Sequence, residues 1–67
     1  MINYKKLIKH YIMIKRVQQA GGLRKELTPE ICVIIHINHN NLTNPLNAAI
    51  VASKVKYLAE EILSIPF

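Results

Sequence analysis

From Pro45 to Ser64 the chain runs for twenty residues without a glycine or an internal proline, and Ala48, Val51, Val55, Leu58, Ile62 and Ile65 recur along it at alternating spacings of three and four. That alternation is the a/d pattern of a helix-packing seam. Thr43 or Asn44 supplies a side-chain cap, Pro45 suits the first helical position because its missing N–H is not needed there, and Pro66 lies just past the end. The pattern therefore predicts a long helix over 45–64, with an apolar stripe that something must cover. Ala52, Ala59 and Leu63 widen the stripe, and its small residues admit a second backbone at close range.

Two further helices are predicted upstream. Over 4–20, Tyr4, Leu7, Ile8, Tyr11, Ile12 and Ile14 follow a helical period, with Met13, Val17 and Ala20 in a second row. Gly21 and Gly22 end this segment, because glycine accepts the left-handed backbone that a helix C-terminus commonly requires. Leu23 to Leu27 reads as a connector. Thr28, Pro29 and Glu30 then combine a capping hydroxyl, a proline at the first helical position and an acid in the first turn, which together start a helix. The residues that follow carry a conflicting signal. Val33, Ile35 and Ile37 alternate with Ile34, His36 and Asn38, and the β-branched content of 31–37 suits a strand. A lone strand has no sheet to join within this chain, so the expectation is a short helix over 29–38, with a strand at 31–37 as the alternative. Four asparagines between Asn38 and Asn44 mark a loop.

The predicted fold is therefore all-α: three helices in a single domain spanning 1–67. A chain of 67 residues buries only about 60% of the surface its unfolded form exposes. With 51% hydrophobic residues, eleven of them isoleucine, some apolar surface is expected to close against a partner. A homodimeric helical bundle is the simplest outcome, since two-fold dimers are the commonest closed assemblies. The apolar face of the first helix covers one side of the seam. The expected oligomer interface is drawn from the seam, Ala48, Val51, Ala52, Val55, Leu58, Ala59 and Ile62, with the alanine-rich flank of Ala48, Ala52 and Ala59 as the part left open for a partner.

Charge is divided unevenly. Residues 1–26 hold seven of the nine basic residues and one acid, Glu26, which leaves that part at +6 of a net +5, while Lys54 and Lys56 against Glu30, Glu60 and Glu61 leave the remainder at −1. Lys5, Lys9 and Arg16 fall on one side of the first helix, interrupted by Ile12, with Lys6, His10 and Lys15 nearby. Such a surface suits a phosphate backbone or another anion. Arg24 and Lys25 extend the set, beside the free amides that begin the second helix. Tyr4 and Tyr11, seven residues apart on the apolar side, read as core residues with hydroxyls at the rim rather than as stacking platforms. Within the last helix, Lys56 and Glu60 are spaced to form a pair four residues apart.

Catalysis is not expected. The serines are Ser53 and Ser64, there is no aspartate, and the four glutamates are not placed to orient a histidine. Gly21-Gly22 lacks the further glycines and the Gly-Lys-Ser/Thr ending of a phosphate-cradling loop. Cys32, His36 and His39 would share one side of a helix and are the one set with metal-ligating chemistry, with His10 as a candidate fourth ligand, but their spacing matches no closed zinc motif, and the expectation is no metal and no cofactor. A single cysteine forms no internal disulfide, which suits a reducing cytoplasm. Lys9, His10, Lys15 and Arg16 interrupt any signal-peptide pattern, and the longest uncharged apolar run, Ile31 to Ile37, is far short of the roughly 20 residues a transmembrane helix needs. Abundant isoleucine, asparagine and lysine point to an AT-rich genome, bacterial or that of a phage or other mobile element. Two function classes follow. One is a small non-catalytic regulatory protein, homo-oligomeric, that engages nucleic acid or another anionic partner through its basic first helix. The other is an adaptor or inhibitor that docks on another protein through the apolar helix 45–64 or the 31–37 segment.

Overall fold

The structure, a computed structural model, describes residues 2–22 and 26–65. It is all-helical, with α1 over Tyr4–Gln19, α2 over Pro29–His39 and α3 over Pro45–Leu63, and no strand among the described residues. Each predicted helix is present, with ends shifted by one residue at most.

Local chemistry explains the starts. Asn3, Thr28 and Asn44 each sit in extended backbone and accept, through the side chain, the amide of the residue three positions on: Lys6, Ile31 and Asn47 at 3.2, 3.2 and 3.1 Å. These bonds satisfy amides that have no partner within the helix. At 31–37 the cap, Pro29 and Glu30 prevail over the β-branched composition. As a helix the segment places Val33 and Ile37, four residues apart, wholly inside the core, whereas a strand would leave its backbone groups without a sheet.

The ends are equally specific. Past α1, Gly21 takes φ +81°, its N–H donates to Gln18 O at 2.9 Å and that of Gly22 to Val17 O at 2.9 Å, the doubly bonded Schellman arrangement. Past α2, Asn41 occupies the same position at φ +53°, with Asn41 N–H to Asn38 O and Leu42 N–H to Ile37 O. The asparagine-rich loop thus includes a helix stop built on an asparagine in place of glycine.

All three helices pack on one another. The amide of Gln18 near the end of α1 donates to Leu27 O just before α2, and Asn3, Lys6 and Leu7 at the start of α1 face His36, Asn40 and Leu42 at the end of α2, so α1 and α2 run antiparallel. The core is Leu7 and Tyr11 from α1, Val33 and Ile37 from α2, and Ala48, Val51, Ala52, Val55 and Ala59 from α3. Tyr4, Ile8, Ile12 and Ile34 pack half-buried around it. No helix among the described residues is long and apolar enough to cross a membrane.

Candidate anion-binding face

Helix α1 carries Lys5, Lys6, Lys9, Lys15 and Arg16 and no acid. At 100° per residue, Lys5, Lys9 and Arg16 lie within about 40° of one another around the axis and span about 16 Å along it. All three are exposed, and with Lys6, exposed on the neighbouring side, they enter no ion pair among the described residues. Half-buried Ile12 borders the line on one edge and exposed Met13 and Val17 on the other. Lys6 also lines a pocket of about 200 Å³ with Asn3, Leu7, His36, Asn40 and Leu42. Arg24 and Lys25 lie outside the described residues.

Lys15 is placed differently from the rest of the expected set. Its ammonium pairs with the Glu60 carboxylate of α3, and the Tyr11 hydroxyl donates to the same oxygen at 2.9 Å. Lys15 and then Tyr11 hold the Glu60 carboxyl below its ordinary range by bonding to its charged form. Burial first, and then the bond to Glu60, pushes Tyr11 up to about 12. Tyr11 is 3% exposed and is a core residue with its hydroxyl at the rim. Tyr4 is half-buried with the Lys54 ammonium 5.1 Å from its ring centre. The Tyr11 ring is therefore closed to stacking, and the Tyr4 ring is partly covered by the core and by Lys54.

The pairing within α3 also differs from expectation. Lys56 pairs with Glu30 of α2 at 3.6 Å, and Glu30 accepts the Ser53 hydroxyl at 3.2 Å, so Lys56 serves the α2–α3 contact and Glu60 the α1–α3 contact. A pair four residues apart on one helix contributes only tenths of a kcal/mol, too little to hold both side chains when a second helix offers partners.

The seam residues require a larger correction. Ala48, Ala52, Val55 and Ala59 are 0–1% exposed and Val51 7% within the single chain, so the surface expected to meet a second copy is consumed by α1 and α2. Of the expected interface, Leu58 is half-buried and Ile62 exposed. The alanines are where the other helices come close, not a flank left open. The outward side of α3 instead shows Leu46, Ile50 and Tyr57.

As a helix, α2 does set Cys32, His36 and His39 on one side, yet no group of three His, Cys, Asp or Glu side chains comes together to hold a metal among the described residues. The half-buried Cys32 has its Sγ 4.0 Å from Leu27 O, and His39 is exposed. His36 instead meets His10 of α1, with ring centres 5.1 Å apart. Burial, and secondarily His36, lowers the His10 pKa. Of the four residues with metal-ligating chemistry, the structure thus brings His10 and His36 together across two helices. No protein-family model, curated protein or solved structure matches this chain.

Proposed function

We propose that this chain is a small non-catalytic regulatory binding protein that engages a polyanion, nucleic acid above all, through the outward side of α1. The observation that supports the reading is the line of Lys5, Lys9 and Arg16, exposed and without an ion pair among the described residues, on a helix without acids, with Lys6 beside it. Duplex DNA presents one charge per about 1.7 Å of axis, so a 16 Å line of cations meets several phosphates at once. Lys15 contributes charge at short range only, because Glu60 neutralises it. Contacts of this type position a protein on the backbone without reading bases, so the expected binding has little sequence preference.

The test is fluorescence anisotropy of labelled duplex and single-stranded DNA and RNA across a salt series. With three to four phosphates contacted, log K for duplex should fall against log salt with a slope of about −3 to −4. The triple variant Lys5→Glu, Lys9→Glu, Arg16→Glu should lose binding while keeping its helical circular dichroism. Retained binding to both duplex and single strands by that variant refutes the proposal. A second reading, an adaptor or inhibitor that docks on another protein, is favoured by Ile31 and Ile35, exposed on the outward side of α2. That reading expects no nucleic-acid binding at any salt concentration in the same titration, which separates the two.

A further inference from the structure

Leu46, Ile50 and Tyr57 on α3 are 86%, 68% and 65% exposed, the most exposed large apolar side chains among the described residues. With Ser53 they form a stripe spaced four, three and four residues apart, opposite the core side of the helix. We infer that this stripe pairs with the same stripe of a second copy of the chain, the two α3 helices running antiparallel about a two-fold axis. This holds whether or not α1 binds an anion.

The first argument is the spacing itself. A four-three-four series reads the same in both directions, so a two-fold axis midway between Val51 and Ala52 sets Leu46 against Tyr57 of the second copy and Ile50 against its Ser53. A two-fold interface needs this self-complementarity, because each patch must fit its own image. At the middle of the stripe Ile50 of one copy meets the small Ser53 of the other, and exposed Ala49 beside it is small as well, which lets two helix axes come within the 8–10 Å or so of ordinary helix packing.

The second argument is charge. No charged residue lies on the line from Leu46 to Tyr57, and the flanking lysines are drawn to their own chain, Lys54 over the Tyr4 ring and Lys56 to Glu30. Helix α1 packs on the core side of α3, so pairing the outward sides keeps the two basic helices apart. Area is the third. The exposed parts of the stripe amount to on the order of 500 Å² per copy, so a pair removes about 1,000 Å² from water, the low end of what a specific interface requires. Lone apolar patches of that size are at the upper range for proteins that stay monomeric.

Sedimentation equilibrium on the full chain from about 1 to 300 µM tests the inference. The mass should rise with concentration from the 7.7 kDa of one chain to twice that value. Ile50→Glu should raise the dissociation constant at least about 30-fold, the loss of one central anchor. Its helical circular dichroism should stay unchanged, since Ile50 is outside the core. In a Cys32→Ser background, an equimolar mixture of Ile50→Cys chains and Ser53→Cys chains at high concentration should form a disulfide-linked dimer of the two variants on mild oxidation, whereas Met13→Cys on α1 should not. A mass of one chain throughout, a doubled mass indifferent to Ile50→Glu, or cross-linking through Met13→Cys alone would each overturn the inference. So would a chain that stays single in solution yet binds neutral phosphatidylcholine vesicles through Ile50, since lipid would then be the occupant.

Discussion

On its inward side α3 carries Ala48, Val51, Ala52, Val55 and Ala59, and on its outward side Leu46, Ile50 and Tyr57, so the smaller side chains are inside the fold and the larger ones in solvent. Of the four largest fully buried side chains, three come from the other helices: Leu7 from α1, and Val33 and Ile37 from α2. Helix α3 thus provides recesses into which its neighbours project, an arrangement that fills a small core at close interhelix distance. Hydrophobicity alone does not distinguish the two sides of this helix. Size does, because a residue between close backbones has to be small while one facing solvent is free of that limit.

The comparison can be broken most forcefully from the side of the projecting residues. Ile37→Ala should cost about 2–5 kcal/mol, since it removes buried volume that the alanines opposite cannot refill. Thermal or urea unfolding followed by circular dichroism measures it. Enlarging a recess acts in the other direction: Ala59→Leu should cost about 1–3 kcal/mol by forcing the helices apart. If Ala59→Leu proved neutral or stabilising in the same assay, the view of α3 as a set of recesses would be wrong.

Tyr11 gives an intermediate effect with a pH signature. Tyr11→Phe should cost about 1 kcal/mol near neutral pH through loss of its bond to Glu60. Because Tyr11 is raised from 10.0 to about 12 in the fold, the folded chain holds this proton more tightly than the unfolded chain. The stability it contributes is fully present below about pH 10 and lost as pH rises through about 12. The Phe variant should lack that part of the alkaline decline. The smallest effect belongs to the outward side, where Ile50→Ser should change the unfolding free energy of dilute protein by no more than about 0.5 kcal/mol. A large loss there, at concentrations where the chain is single, would show that the outward side is structural after all.

The three helices were legible because their signals are local. A capping side chain, a proline at the first helical position or a residue suited to positive φ acts within four residues of itself, and Thr28, Asn44 and Gly21 all behave as such chemistry dictates. Partner choice was not legible. Periodicity marks Ala48, Ala52 and Ala59 as facing something but does not say what, and the part played by Val33 and Ile37 in covering them depends on the antiparallel turn of α2. By charge counted along the chain Lys15 resembles the other cations of α1, whereas the acid that neutralises it is 45 positions away. The outward stripe has a spacing as regular as the seam, but its three large residues are punctuated by Ser53, and the seam is the longer and more uniformly apolar of the two.

Glu60 has one more consequence. Tyr11 and Lys15 are one turn apart on the same side of α1, and both reach the same carboxylate. The burial of Leu7 and Tyr11 on one side of α1 opposes a roll of the helix about its axis, and the two bonds to Glu60 add to that at the helix's C-terminal half. A roll of a single residue's 100° would carry the line of Lys5, Lys9 and Arg16 away from its present aspect and turn other residues outward. The core side of α1 and the Glu60 contact beside it thus also fix the direction in which the molecule presents its positive field.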